Sequence, residues 1–537
     1  IYYERSVSMK ETKLHSSQLH VIEENNGLKM YLSGLSKGKE FTPRSSLYDL
    51  PGKTTLLEPD DILNKWMETL KSLENGNDFD KNVFQFDSHQ LEKWGPQGGV
   101  KPIDELLEDV VFPSFTKGET PEAFSTPEWQ LAKRRVVKHL HSGGAKGLSP
   151  VPYSRVIDDM RARDTLESNS GWPLFTRRNK PEVIKASIED AENGRWKTYP
   201  AIALFRNYNG KTRLVWMFPM SANLVEGSFF QPLQSCLMKS RWATAFLSPW
   251  SGFEAVRDIV TQTYNSSAYI AASDFSSTDA HFKLSTSLEV FDVVKECFQP
   301  RFRNALEESI RYMHEIPLVI GDDRMLTGDH GVSSGSNWTN FIETIFDWIL
   351  AEYVSILMPE VRGLYAIGDD MSWYLNSYDS KFANQLDTIG KSVGQEIKAE
   401  KTTNYPDKVK SLQRLFQRNY VRPDGKIRAV YSTVRALKSL VYPERFHKPE
   451  LWSKDMEAIR DFMILENCVD HPLFEEFCRF VAAGDPHLKE FANMSPTQQQ
   501  KLLRQSKLVP GLNATYNQEK RDSALLEFES VKFISKL

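Results

Sequence analysis

The chain has 537 residues, of which 40% are hydrophobic, 26% charged and 12% aromatic, with a formal net charge of -4. This composition excludes a disordered or fibrous protein, and the length suggests about three or four domain-sized units. No apolar run approaches the roughly 18 residues that a membrane span needs, so no membrane partner is expected; even Ile345 to Met358 carries Asp347 and Glu352.

The four cysteines (Cys236, Cys297, Cys468, Cys478) form no C-x-x-C pair, which argues against a zinc cluster or a disulfide framework. A slightly acidic chain has no general affinity for nucleic acid, so a polynucleotide would need a locally basic channel. Lys133-Arg134-Arg135, Arg177-Arg178 with Lys180, and the Arg206 to Arg213 segment supply candidates. Taken singly, each is more often a solvated face.

In chain order, turn-rich stretches at Ser36 to Lys53 and Gly95 to Pro102 precede a link at His141 to Pro150. Tyr199 to Trp216 reads as strand, turn, strand, with Asn209-Gly210 as the turn. Ala268 to Ala272 is a short apolar strand that delivers Asp274 at its carboxyl end. Leu284, Leu288, Phe291 and Val294 then recur at near-helical spacing. The clearest helix runs from Trp338 through Phe341, Ile342, Ile345, Phe346, Ile349 and Leu350 to Val354, with Pro359 beyond its end. Thr339 and Glu343 share one face of it.

Leu364 to Leu375 reads as a hairpin with Gly368-Asp369-Asp370 at its tip. A short helix through Phe382, Leu386 and Ile389 is expected to end at Gly390, and QEIKAEK follows with Lys398 and Lys401. LQRLFQRNY, turning at Pro423-Asp424-Gly425, suggests another hairpin. From about Leu437 the pattern is helical, with candidates at Trp452 to Leu465, Pro472 to Ala482 and Pro496 to Leu508. Strands mixed with helices and followed by a helical tail define an α+β protein with a separate helical domain.

Three stations carry the chemistry: Asp274 and Asp279 in SDFSSTDAHF, Ser334-Gly335 in GVSSGSNWTN, and Asp369-Asp370 in AIGDD. Nucleotidyl transfer needs carboxylates from separate strands to hold divalent cations about 4 Å apart. Alone, Asp274 is a solvated turn residue and Asp279 a helix cap. Gly-Asp-Asp also occurs twice. The copy at Gly321-Asp322-Asp323 is followed by Arg324, a ready partner for a turn carboxylate, and is assigned to a surface hairpin. A competing pattern is Gly331-Val332-Ser333-Ser334-Gly335, which fits the G-x-S-x-G nucleophile elbow of serine hydrolases. The segment before it, DDRMLTGDH, is a poor buried strand, which disfavours that reading.

In this order the three strings resemble motifs A, B and C of viral RNA-dependent RNA polymerases. SNSGWPLF (Ser168 to Phe175) resembles motif G, RNYNGKTRLVW (Arg206 to Trp216) motif F, IKAEK motif D and RLFQRNY motif E. The wording is most like picobirnavirus polymerases, then those of partitiviruses. The resemblance implies a right-hand architecture of fingers, palm with an antiparallel sheet, and helical thumb. The expected spans are an N-terminal region and fingers at 1–240, palm at 241–280, a fingers insertion at 281–315, palm again at 316–435, and thumb with tail at 436–537.

It further implies that Asp274 and Asp369, with Asp370 beside them, ligate two Mg²⁺ or Mn²⁺ ions, and that Lys398 or Lys401 protonates the pyrophosphate. Arg206, Lys211 and Arg213 would neutralise the triphosphate. Asp279 would read the ribose 2′-hydroxyl, and Ser334, Gly335 and Thr339 would contact nucleotide and template. Glu343 stands where many relatives carry Asn, a departure that leaves sugar selection to Asp279 with Ser334 or Thr339, or to Glu343 itself. Ser170, Gly171, Pro173, Arg177, Arg178, Arg414 and Arg418 are the expected RNA contacts. The implied partners are RNA template and product, NTPs and a viral capsid protein, with the virion interior and host cytoplasm as locations. The tail from Val509 to Leu537 is a candidate support for unprimed initiation. A reverse transcriptase is the alternative within polymerases, disfavoured by Asp279 and by the Gly before the Asp pair.

Overall fold

The computed structural model describes residues 9–50, 56–115, 118–509, 518–519 and 524–537, leaving aside the side chains of residues 241 and 242. Much of the tail expected at Val509 to Leu537 therefore lies outside the described residues. Eleven strands are described: β1 (Lys10–Lys13), β2 (Ala201–Tyr208), β3 (Lys211–Met217), β4 (Tyr269–Asp274), β5 (Leu318–Val319), β6 (Arg324–Thr327), β7 (Val361–Ile367), β8 (Asp370–Leu375), β9 (Thr403–Asn404), β10 (Lys408–Ser411) and β11 (Arg414–Gln417).

The palm sheet has the order β7-β8-β4-β9, antiparallel throughout. Successive residues of β4 point to opposite faces, and both faces are covered. Ile270 and Ala272 join Phe253, Val256 and Val260 of the Phe253–Asn265 helix, whereas Ala271 joins the large cluster that contains Ile342, Ile345 and Phe346 of the Trp338–Leu357 helix. Two-sided burial explains why this strand reads as an unbroken apolar run rather than an alternating one.

The second sheet has the order β1-β6-β5-β2-β3. Its β2–β3 hairpin turns at Asn209 (φ 55) and Gly210 (φ 77), the left-handed pair that a two-residue hairpin turn requires. The first Gly-Asp-Asp copy lies in the β5–β6 turn. That hairpin pairs through β5 with β2 and through β6 with β1, so it is part of the second sheet and not of the sheet that carries Asp274. Arg324 does not hold the turn carboxylates either: it reaches Glu11 (2.6 Å) and Asp104 (2.8 Å).

Two local expectations also change. The Phe382–Ser392 helix runs past Gly390, where a Cβ would come within 2.9 Å of the Ile397 side chain; that glycine serves close packing, not a helix end. The motif E hairpin is β10–β11, turned at Leu412 and Gln413 in left-handed conformations, while the Pro423-Asp424-Gly425 turn closes only a bridge between Val421 and Ile427.

The thumb helices include Thr433–Val441, Lys454–Glu466, Phe474–Gly484 and Pro496–Ser506. Their core is not their own. Trp66, Leu70, Val83 and Phe86 pack in the same cluster as Leu437, Phe462 and Phe477, so residues 56–86 share a core with these C-terminal helices. Asp87 fixes this union. Fully buried, its carboxylate accepts from Ser432 Oγ (2.6 Å), Thr433 N (3.1 Å), Thr433 Oγ1 (2.6 Å), Val434 N (2.9 Å) and His471 Nε2 (2.8 Å). Leu473 N–H donates to His471 Nδ1, which leaves the ring hydrogen on Nε2. Burial alone would raise the Asp87 pKa, but His471 and the two hydroxyls outweigh it and the net shift is downward. Replacing Asp87 by Ala strands the first N–H groups of the Thr433–Val441 helix and the His471 ring together. We expect a loss of about 3 kcal/mol in urea unfolding; a loss below about 1 kcal/mol would show that this joint does not hold the two regions together.

Candidate active site

Strand pairing brings the acids together. Asp274, the last residue of β4, is the direct cross-strand partner of Asp370, the first residue of β8. Gly368 and Asp369 form the turn between β7 and β8, closed by the Ile367–Asp370 pair. The turn needs a residue that tolerates φ +55, and glycine does so without strain. Carboxylate oxygens of Asp274, Asp369 and Asp370 all lie within 4.8 Å of one another, a spacing that suits hard divalent cations bound by oxygen. Thr278 Oγ1 donates to Asp369 Oδ2 (3.3 Å) and Phe275 N to Asp369 O (3.3 Å).

The electrostatics agree with a site built to receive positive charge. Partial desolvation in the cleft, then the Asp369 charge, raises Asp274 to about 7 and Asp279 to about 6. Asp369 and Asp370 are raised as well, chiefly by desolvation. Opposing them are cations of β3. Lys211 and Arg213 are two residues apart and so share a face of the strand; both act on Asp279 and Asp369, and Arg213 also on Asp274.

Arg206 departs from expectation. Its guanidinium is bidentate on Glu444, with bonds of 2.7 and 2.8 Å, so it ties β2 to the segment after the Thr433–Val441 helix. The two candidate lysines also separate: Lys401 lowers the Asp274 pKa, whereas Lys398 Nζ lies 3.6 Å from Glu396.

The motif B loop leans on β3. Trp216 N donates to Ser334 Oγ and Ser334 Oγ donates to Leu214 O, each at 3.3 Å. A Cβ on Gly335 would stand 1.5 Å from Trp216 O, so only glycine allows this approach. Thr339 Oγ1 donates to Ser333 O. Ser333 itself is fully buried and donates to Met313 O (2.8 Å). A nucleophile would face an imidazole in an open elbow; this serine does neither, and the hydrolase reading falls.

Behind the turn lies the Trp338–Leu357 helix. Thr344 Oγ1 accepts from Gly368 N (2.9 Å) while donating to Asn340 O (2.7 Å). Glu343 is 7% exposed and Asp347 fully buried, and both are raised well above the ordinary range, by desolvation first and neighbouring acids second. Thr344 and Asp347 were missed in the sequence. A signal for Asp347 existed: a second acid inside the most apolar helix, one turn beyond Glu343.

Most of the expected RNA contacts have other work. Arg414 is fully buried, donates to Asn467 O and pairs with Glu519 at 3.7 Å. Arg418 donates to Tyr264 O (2.8 Å) and Ala268 O (2.6 Å). Ser170 is buried, its hydroxyl accepting from Thr176 N, and a Cβ on Gly171 would meet Phe218 O at 2.5 Å. Arg178 bonds Asn169 O and Asn223 Oδ1. Pro173 and Arg177 remain half-buried at the surface, Arg177 lying 3.7 Å from Glu167.

Facing carboxylates on a palm hairpin and a neighbouring strand, opposed by a basic fingers strand, define a nucleotidyl-transferring polymerase of right-hand form. A family model of viral RNA-dependent RNA polymerases matches residues 208–483, just over half of the chain, and the chain belongs to that family. A human picobirnavirus protein described as "Potential RNA-dependent RNA polymerase" is 27% identical over 489 residues, 86% of this chain and 85% of its own length. An RNA-directed RNA polymerase of Cryptosporidium parvum virus 1 is 24% identical over 149 residues, 27% of this chain and 28% of that one. The crystal structure of a human picobirnavirus RNA-dependent RNA polymerase shares the fold, with TM-score 0.79 at 22% identity over 98% of this chain and 99% of that one. No helix among the described residues is long and apolar enough to cross a membrane.

Acids with raised pKa values stabilise the fold while protonated, below about pH 4, and that contribution is lost as pH rises through about 6 to 7. In EDTA, Asp370→Asn should therefore melt above the wild type at pH 8, with the gain shrinking toward pH 5; Mg²⁺ should raise the wild type more than the variant. A variant that melts lower at pH 8 would contradict the repulsion described here.

Proposed function

We propose that this polymerase extends an RNA 3′-end on an RNA template with two Mg²⁺ or Mn²⁺ ions held by Asp274 and Asp369, with Asp370 beside them. The observation that carries this reading is the convergence of these three carboxylates from two strands. Ions bound there supply charge for the attacking 3′-hydroxyl and the departing pyrophosphate. The 3′-oxygen bonds to the α-phosphorus as the α–β bridging bond breaks. Lys211 and Arg213 neutralise the triphosphate, and Lys401, rather than Lys398, gives the pyrophosphate its proton.

Asp279 accepts a hydrogen bond from the ribose 2′-hydroxyl. Ser334, Gly335 and Thr339 shape the nucleotide pocket through β3, and Glu343 supports the Gly368 turn instead of touching sugar. Pro173 and Arg177 are the motif G residues left to meet template.

The domain reading follows: fingers from the β1-to-β3 sheet with its β5–β6 hairpin, palm from β4 and β7–β9, and thumb from residue 436 onward joined by residues 56–86. The biological role we infer is replication and transcription of a viral genome of double-stranded RNA. The enzyme would work with a capsid protein, inside the virion and in the host cytoplasm.

A primed RNA template with four NTPs and Mg²⁺, read on a gel, tests the reading. Asp369→Asn should lose roughly a thousandfold or more in rate, while Asp322→Asn keeps wild-type activity. Lys401→Ala should slow turnover about a hundredfold, and Lys398→Ala far less. Normal polymerisation by Asp369→Asn, or a dead Asp322→Asn, would refute the assignment.

A further inference from the structure

Arg178, expected at the RNA, instead begins an internal chain of contacts. Its Nε donates to Asn169 O (3.1 Å) and its Nη2 to Asn223 Oδ1 (2.8 Å), tying the 168–178 loop to the Met220–Lys239 helix. Asn223 Nδ2 then donates to Glu226 Oε1 (2.8 Å) and to Gly335 O (3.3 Å), and Asn223 O accepts from Asn337 Nδ2 (3.2 Å). Glu226 Oε1 also takes the N–H of Asn337 (3.0 Å), and its Oε2 takes the Ser336 hydroxyl. Ser336 Oγ in turn accepts from Trp338 N (3.0 Å), at the start of the long motif B helix. Asn223 and Glu226 are 1% and 2% exposed.

This chain is built for one loop conformation. A buried carboxylate is costly unless donors converge on it. Here burial pushes Glu226 up to about 7 against the pull of Ser336, Asn223, Asn337 and the Arg178 charge. A fully satisfied polar network specifies a single arrangement of the groups it joins. The groups joined are Asn169, in the loop resembling motif G, and Gly335 to Asn337, in the loop resembling motif B. On the other side the loop is bonded to β3 through Ser334 Oγ, and Gly335 lies close against Trp216 O, so the relay and β3 grip the motif B loop between them.

We propose that Arg178, Asn223 and Glu226 are positioning residues that couple the template-side loop to the nucleotide-side loop, so that grip on the templating strand and acceptance of the incoming ribonucleotide change together. The proposal rests on the reading of residues 168–178 and of Ser334-Gly335 given above. When the 168–178 loop is not seated, Arg178 is drawn away and Asn223 Oδ1 loses its donor. The Asn223 amide can then turn away from both Glu226 and Gly335 O, and the motif B loop loses its brace.

The test compares Arg178→Ala, Ser336→Ala, Glu226→Gln and the Arg178→Ala/Ser336→Ala pair. The readouts are KM and kcat for the templated NTP, and Kd for a defined RNA template–primer by fluorescence anisotropy. Each single variant should raise the NTP KM about tenfold and weaken template binding, with kcat changed by less than about threefold. The pair should be no worse than its worse member, as residues in one network are not additive. A relay that is only a scaffold gives a different result: Arg178→Ala moves template Kd alone, Ser336→Ala moves KM alone, and their effects add. That outcome overturns the proposal. If Glu226→Gln fails to fold, the other two positions complete the cycle without it. Should the loop reading itself be wrong, template Kd stays at the wild-type value in Arg177→Ala and Arg178→Ala alike, and the coupling falls with it.

Discussion

Asp274 and Asp370 face each other across β4 and β8, and Asp369 stands in the turn beside them. Three carboxylates this close repel one another, and the repulsion is strengthened by the low polarity around them. The site tolerates it because the antiparallel ladder leaves the strand ends no freedom to part. Like charges held together in this way form a standing demand for cations, met from outside by metal and from across the cleft by Lys211 and Arg213. Much of the surrounding structure serves to keep those strand ends in place.

The Trp338–Leu357 helix is the main such device. Its apolar face fills the core under the palm, and its Thr344 hydroxyl takes the Gly368 N–H that the turn would otherwise leave unpaired. At its N-terminal end the same helix is joined through Ser336 and Asn337 to Glu226 and Asn223. One rigid rod therefore connects the metal-binding turn with the loops that face nucleotide and template. Burial beneath the turn, and then the neighbouring acids, raises Glu343 and Asp347 well above the ordinary carboxylate range.

Closure of the hand is the second structural theme. Residues 56–86 share the core of the C-terminal helices, with Trp66 Nε1 donating to Thr433 Oγ1 (2.8 Å). Arg206 reaches Glu444 from the tip of the fingers. Burying tryptophan, leucine and phenylalanine side chains contributes roughly 2 kcal/mol each, so this joint is apolar first and ionic second. The C-terminal helices are thus tied to the rest of the chain at two separate places.

Local order was legible in the sequence. The Asn209-Gly210 turn, the long amphipathic helix and the Gly368 hairpin each follow from backbone chemistry within a few residues, and the order of Asp274, Ser334-Gly335 and Asp369 pointed to the chemistry. What depended on distant partners was not legible. The same Gly-Asp-Asp string lies in the β5–β6 turn in one copy and beside Asp274 in the other, because pairing with β2 or with β4 is settled by contacts far along the chain. Arg178, Arg206, Arg414 and Arg418 read alike as basic residues, yet burial and the nearest carbonyl or carboxylate gave each a structural task. Thr344, Glu226 and Asp347 carry no motif at all; their roles exist only where a helix face meets a turn or a loop. Sequence periodicity fixes which side of an element is apolar, whereas the identity of what lies against it is a property of the packed chain.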